Sequence, residues 1–325
     1  MKKGNISIFV PHNGCPQQCS FCNQKTITGQ GAQPTAQEVK NAVETALRRK
    51  DYEYEIAFFG GSFTAIDRAY MLTLLDAAQP YLSDNRVKGI RISTRPDCID
   101  DEVLTLLKAK GVTAIELGAQ SMDDEVLAAN FRGHTAQDVV SASKLIKQYG
   151  FSLGLQMMTG LYLDTDEKAM KTAGQIIELA PDTVRIYPTV VLKGTYLEQL
   201  YDEKLYKPPT VDDAAALCTR LVPLFEKAQI KILRLGLHAS KEIEKNAVAG
   251  AYHPAFGEIV QSRFLLNKVL QHSPGAYQIY VNPKTVSKLK GNQKRNVYFL
   301  MEEGYHIQYT VSDKVAEDKL KIVRR

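Results

Sequence analysis

Short runs of β-branched and aromatic residues alternate along the first half of the chain with stretches patterned as amphipathic helices. The runs are Ile6–Val10, Ile56–Phe59, Val87–Ser93, Val112–Leu117, Phe151–Met157 and Thr183–Tyr187. Between them Val39, Val43, Ala46 and Leu47 recur at helical spacing, as do Val103, Leu106 and Leu107, and Val139, Ala142, Leu145 and Ile146. Thr35 with Glu38 and Thr135 with Asp138 carry the capping-box pattern ahead of two of these faces, and Gly111 stops a third. In a strand–helix–strand unit the helix carries the chain back along the sheet, so that successive strands run the same way. Six such units predict an α/β fold on a parallel sheet.

After Pro188 the rhythm changes. A helical stretch over Thr210–Lys227 precedes a further strand-like run, Lys231–Leu237. A helical pattern over Glu258–Leu270, strand patterns over Tyr277–Val281 and Tyr305–Val311 and a charged end follow. A boundary is expected near Ile230, giving a main domain over 1–229 and an appendage over 230–325. With 325 residues, 44% of them hydrophobic, the chain can bury a full-sized core. The formal net charge is +5, and Lys284–Arg325 holds ten Lys or Arg against five Asp or Glu, so the whole excess lies in the tail. A basic terminal module fits a polyanionic partner such as RNA, and equally a solubilising surface. No apolar run reaches the roughly 18 residues of a membrane span, and Ile6–Val10 is shorter than the about 7–15 residues of a signal-peptide core. A cytoplasmic location and no membrane association are expected.

Of five cysteines, three crowd into Cys15-Pro-Gln-Gln-Cys19-Ser-Phe-Cys22, directly after the first strand-like run. An odd number, so clustered, argues for metal binding rather than disulfides. Three thiolates on one loop can hold three corners of a cubic iron–sulfur cluster and leave one iron open. A zinc site would want a fourth ligand, which His12 could supply. Cys98 and Cys218 have no neighbouring ligands in sequence and are expected to be ordinary small side chains.

The cysteine spacing, with aromatic Phe21 just before the third cysteine, resembles the radical S-adenosylmethionine (SAM) superfamily. That resemblance implies a [4Fe–4S] cluster on Cys15, Cys19 and Cys22, and SAM chelating the open iron through its amino and carboxylate groups. One-electron cleavage of the sulfonium would then give a 5′-deoxyadenosyl radical. It also implies an external one-electron donor of flavodoxin or ferredoxin type. The fold expected is an incomplete (β/α)6 TIM-type barrel with a small C-terminal α/β appendage. The remaining polar and glycine-rich clusters follow the strand-like runs, at the rim where such barrels build their sites. Carried over onto this sequence, the SAM contacts are Phe21, Gly60, Gly61, Ser62, Ser93, Arg95, Glu116, Gln120, Arg132 and Gln156. Gly60 and Gly61 would approach the SAM ammonium, Ser93 and Arg95 the ribose, and Arg132 the carboxylate. The resemblance assigns no further catalytic residue.

A second likeness covers nearly the whole chain. Gln156-Met-Met-Thr-Gly160-Leu, Arg185-Ile-Tyr187-Pro188-Thr189, Lys193-Gly-Thr195, Arg234-Leu-Gly236-Leu and Tyr252-His253-Pro254-Ala-Phe256 are similar to the radical SAM half of the elongator catalytic subunit. That family modifies wobble uridine in tRNA, which implies RNA as substrate. Two features differ: the elongator subunit spaces its first two cysteines further apart, and this chain ends where the family's acetyltransferase domain would begin. No acetyl-CoA site is assigned. In the tail Tyr277, Tyr280, Tyr298, Tyr305 and Tyr309 interleave with Lys288, Lys290, Lys294 and Arg295, a composition suited to bases and phosphates. The expected function is thus a radical SAM enzyme that modifies RNA, with tRNA as the substrate class; the alternatives are a radical SAM oxidoreductase acting on a small porphyrinogen-like metabolite, and an iron–sulfur or zinc protein that binds RNA without catalysis.

Overall fold

The computed structural model describes residues 1–10, 18–23, 26 and 32–325. Strands β1 (Lys2–Val10), β2 (Tyr52–Gly60), β3 (Val87–Thr94), β4 (Val112–Gln120), β5 (Ser152–Thr159) and β6 (Thr183–Pro188) lie side by side in chain order. A short β7 (Val190–Leu192) leaves this sheet, and β8 (Lys231–Leu235) adds to it beside β6. All seven main strands pair in parallel. β1 and β8 are the sheet's two edges, so the curled sheet is an incomplete barrel open along one side.

The helices that return the chain are α1 (Ala36–Leu47), α2 (Arg68–Ala78), α3 (Asp101–Ala109), α4 (Asp124–Ala129), α5 (Ala136–Gln148) and α6 (Asp166–Glu178). Both expected capping boxes form, Thr35 with Glu38 and Thr135 with Asp138. One parity of each strand supplies Ile56, Phe58, Ile90, Ile92, Ile115, Leu117, Leu153, Leu155, Val184 and Ile186 to a continuous core with Val39, Leu74, Leu104, Val139 and Ile176 from the helices. The opposite parity supplies Glu55, Phe59, Arg91, Ser93, Glu116, Gln156, Arg185 and Tyr187 to the concave face. A parallel sheet is ordinarily apolar on both faces. Here the inner face is polar.

Beyond β6 come α7 (Tyr196–Asp202), α8 (Val211–Lys227), α9 (Lys241–Asn246), β9 (Ala247–Gly250) and α10 (Phe256–Leu270). β7 and β9 form an antiparallel ribbon that the sequence patterns do not predict, since three- and four-residue strands carry too little periodicity. α10 is shared between two cores: Phe256 and Val260 belong to the barrel's, and Leu265 and Val269 to a second one. That second core lies under a sheet of β10 (Gly275–Val281), β11 (Tyr305–Val311) and β12 (Leu320–Arg324), in the order β11–β10–β12. Two short helices, α11 (Val286–Lys290) and α12 (Arg295–Glu302), connect β10 to β11. The charged end is therefore a strand, with Leu320 and Ile322 turned to the core and Lys321 and Val323 away from it. Among the described residues no helix is long and apolar enough to cross a membrane.

Candidate functional site

Cys15 and His12 lie outside the described residues. Cys19 and Cys22 are brought together by a turn in which the Cys22 amide donates to the Cys19 carbonyl at 3.1 Å. Three distant segments fix this turn. The Ser20 hydroxyl donates to Asn130 Oδ1 at 2.6 Å, and the Ser20 amide to the Asn130 carbonyl at 3.2 Å. The Leu197 amide, at the start of α7, donates to the Ser20 carbonyl at 2.8 Å, and Asn23 Nδ2 to the Lys193 carbonyl at 2.8 Å. Phe21 packs against the small cluster of Val191, Leu197, Leu200 and Tyr206. The Lys193-Gly-Thr195 segment thus braces the cysteine turn, as does Asn130, which the motifs did not single out.

Arg132 reaches into this turn. Its Nη1 donates to the buried Cys19 Sγ at 3.1 Å, its Nη2 to the Gly118 carbonyl at 2.7 Å, and its guanidinium lies 6.0 Å from the Phe21 ring. Arg95 also feels the charge of Cys19. Burial works against the Arg95 charge, but its paired bonds to Asp97, at 2.8 and 2.7 Å, outweigh that and hold the guanidinium above its usual range.

The glycine and hydroxyl residues build the adjoining rim. Gly60 has φ +119°, and a Cβ there would come within 2.8 Å of the Val10 carbonyl oxygen, so only glycine carries the chain over β1 at that point. Ser62, Thr64 and Thr94 tie the ends of β2 and β3 together through hydroxyl contacts of 2.8 and 2.6 Å on Thr94, and Ser62 Oγ accepts from the Arg95 amide at 3.1 Å. Gln120 ends β4 at φ 65°, at a shift in the β4–β5 register. A non-glycine residue held there by its surroundings is common at binding sites. Gly118 leaves room for its side chain, because a Cβ on Gly118 would meet Gln120 Nε2 at 2.9 Å.

Glu116 and Gln156 sit deeper, on the concave face. Glu116, 1% exposed, accepts from Arg185 Nε at 2.7 Å and Nη2 at 3.0 Å, from Arg91 Nη1 at 3.3 Å and from Gln156 Nε2 at 3.0 Å. Gln156 Nε2 also approaches Ser93 Oγ at 3.5 Å. Arg91 in turn pairs with Glu55 at 2.9 Å. Burial opposes the Arg185 charge, but the Glu116 bonds outweigh it and push the guanidinium up.

Four buried polar atoms around the cysteine turn have no partner among the described residues: Arg95 Nη1, Gln120 Oε1, Arg132 Nε and His134 Nδ1. Such atoms are costly unless something polar meets them. The sequence reading overlooked His134, whose neighbour Arg132 drew attention instead. Burial, then the Arg132 charge, pushes the His134 pKa down to about 4. Its Nε2 lies 3.2 Å from the Ala119 carbonyl, so Nε2 carries the proton and Nδ1 is a bare acceptor. The unfolded chain takes up a proton near 6.5 that the folded one resists, so His134 should cost the fold about 3 kcal/mol as pH drops from 6.5 to below 4. Asp164, which burial pushes up to about 6, tilts stability the opposite way over the same range. Urea midpoints of wild type and His134→Gln should therefore diverge with falling pH, the wild type losing more. Parallel curves would show that the imidazole is not held neutral.

A profile of the radical SAM superfamily matches residues 9–176, more than half of the chain, and one of the radical SAM C-terminal domain matches residues 181–265. The chain belongs to the radical SAM superfamily. Human Elongator complex protein 3 is 30% identical over 254 residues, covering 68% of this chain and 46% of that one. The tRNA uridine(34) acetyltransferase of Dehalococcoides mccartyi is 27% identical over 239 residues, covering 62% and 52%. The chain thus spans about half the length of these relatives. The structure of the archaeal Methanocaldococcus infernus Elp3, lacking residues 1–46, shares the fold: its TM-score is 0.66 at 21% identity, over 83% of this chain and 64% of that one.

As a radical SAM enzyme the chain takes a [4Fe–4S] cluster and SAM as cofactors. The residues around the turn fit both. Cys19 and Cys22 share one turn beside a guanidinium that donates to sulfur, and the four unpartnered atoms offer two guanidinium donors and two acceptors to a zwitterionic, adenosine-bearing ligand.

Proposed function

We propose that this radical SAM enzyme modifies RNA in the cytoplasm, with tRNA as its substrate class and a flavodoxin or ferredoxin as its electron donor. The observation that carries the reading is the kinship, at 30% identity over 254 residues, with a protein named for the elongator complex, and with one named as a tRNA uridine(34) acetyltransferase. In support, the elongator-like segments converge in space. Thr189 binds the Thr159 carbonyl through both its amide and its hydroxyl, the Ala251 amide donates to the Thr189 carbonyl at 3.0 Å, and the Gly236 amide donates to Ile186 at 2.9 Å. His253 Nδ1 accepts from the Ala255 amide at 3.0 Å, just ahead of α10.

Cys15, Cys19 and Cys22 would hold the cluster, which together with SAM supplies one-electron cleavage of a sulfonium bond. The chain's own work is to hold and orient. Arg132 spans Cys19 and Gly118 and keeps Nε for the SAM carboxylate; Gly60 and Gly61 present backbone to the ammonium; Ser93, Arg95, Gln120 and the neutral His134 line the nucleoside side. Glu116 and Gln156 belong to the charged layer of the concave face, below this rim.

Arg132→Ala should weaken SAM binding to the reconstituted protein about 10- to 100-fold, the loss of one charge-assisted bond. Equilibrium titration decides it, and unchanged affinity would move the carboxylate to another residue. The RNA reading is tested with anaerobically reconstituted protein, dithionite, SAM and bulk tRNA. 5′-Deoxyadenosine should form without substrate and faster with tRNA, and the digested tRNA should contain an altered nucleoside. Acceleration by a porphyrinogen and none by tRNA would overturn it.

A further inference from the structure

The outer face of the β11–β10–β12 sheet is built from strands without acidic residues. Register assigns its side chains. Ala276, Gln278 and Tyr280 of β10 stand opposite His306, Gln308 and Thr310 of β11, while Gln278 and Tyr280 stand opposite Val323 and Lys321 of β12. The Arg325 amide extends the pairing by donating to the Ala276 carbonyl at 2.9 Å. The other parity, with Tyr277, Ile279, Val281, Ile307 and Ile322, faces the second core. His306, Gln308, Thr310, Lys321, Val323 and Arg325 are exposed.

The three strands contain no Asp or Glu at all. The cations singled out in the sequence are placed differently. Lys284 pairs with Glu317 at 3.2 Å and Lys288 with Asp318 at 2.6 Å, so two of the four tail lysines before Arg295 are already neutralised. Lys290 lies 5.0 Å over Tyr309, which has the parity of the core. Lys321 and Arg325 stand on the outer face, and neither is ion-paired among the described residues.

On that face one aromatic is presented among hydrogen-bonding groups. Lys321 Nζ lies over one face of the Tyr280 ring, 5.6 Å from its centroid, so that a base would stack on the opposite face. Arg325 Nη2 donates to Gln278 Oε1 at 2.7 Å, and Gln278 Nε2 to Thr310 Oγ1 at 2.9 Å, which sets these side chains in a fixed row. A ring flat enough to stack a base, a cation beside it and amide groups in line are what unpaired nucleotides bind. A protein strand would want apolar complementarity, and beside the Tyr280 ring this face offers only Ala276 and Val323.

We propose that this acid-free sheet face is the platform on which the enzyme docks unpaired nucleotides of its RNA, with Tyr280 stacking a base and Lys321 and Arg325 meeting phosphates. The inference rests on the RNA reading of the function and locates the contact that reading needs. The probe is bulk tRNA, titrated against the full reconstituted chain by fluorescence anisotropy across salt. Tyr280→Ala should weaken binding about tenfold while Tyr280→Phe keeps it, since stacking needs the ring and not the hydroxyl. Lys321→Gln with Arg325→Gln should flatten the log–log salt slope by about 1.5, near 0.7–0.9 per phosphate released. Uncoupled SAM cleavage and the thermal midpoint should stay at wild-type values in all three. If wild type binds tRNA with a steep salt slope and these variants do the same, while Lys290→Gln, Lys294→Gln and Arg295→Gln together abolish it, the platform is wrong and the RNA reading stands. If wild type itself does not bind tRNA, both fall.

Discussion

Cys15→Ala, Cys19→Ala and Cys22→Ala variants, reconstituted anaerobically, should each lose the about four iron and four sulfide that the wild-type chain takes up. With three thiolates and an open fourth position, losing one leaves two ligands, too few to hold a cubic cluster in water. The Cys19 variant should be the most damaging to its surroundings as well. Its Sγ is the buried acceptor for Arg132 Nη1, so alanine there leaves that nitrogen without a partner in addition to removing a ligand. Cys98→Ala and Cys218→Ala should keep full iron. Cys218 is buried in α8, and burial alone pushes its thiol up to about 12, so it stays protonated at neutral pH and binds no metal. Iron and labile sulfide assays decide the matter. Stoichiometric zinc in place of iron, or a cluster retained in Cys22→Ala, would end the radical assignment for this loop.

The barrel was legible because its signals are local. A capping box such as Thr35 with Glu38 needs only four residues, and the alternation of β runs with helical faces needs only windows of about a dozen. The short ribbon of β7 and β9 was not legible, because its pairing joins residues such as Val191 and Ala249 that share no local pattern. β12 hid behind its charges: Lys321 and Arg324 mask a two-residue alternation that becomes meaningful only once Leu320 and Ile322 have a core to face. The same division holds at the site. Cysteine spacing names the turn, but Asn130 and Leu197, which hold it, are 110 and 177 positions from Ser20 and nothing local marks them. Glu116 stood out in sequence as a polar residue near the end of a strand. Its partners Arg91 and Arg185 come from the neighbouring strand and from one two strands away, and only the folded sheet brings them to it.

Breaking that charged layer should give the largest stability change of any single substitution on the concave face. Glu116 holds Arg185 at 2.7 Å and Arg91 at 3.3 Å, with side-chain exposures of 1%, 11% and 8%. Removing one partner of a buried pair leaves an uncompensated charge, at a cost of about 3–5 kcal/mol. Glu116→Ala strands two guanidiniums, although Arg91 keeps Glu55 at 2.9 Å, so most of the damage should fall on Arg185. Arg185→Met strands the carboxylate less completely, because Arg91 and the Gln156 amide still reach it. The order expected in urea unfolding is therefore Glu116→Ala worse than Arg185→Met. The double variant should be no worse than Glu116→Ala alone, because the second change removes the charge that the first left unpaired. Added salt should leave the pattern in place, since buried pairs are weakly screened. A loss below about 1 kcal/mol for Glu116→Ala would mean that water reaches the pair and screens it as it does surface ion pairs. The concave face would then be a wet channel down to Glu116, and the depth to which a substrate can enter from the open side of the barrel would be correspondingly greater.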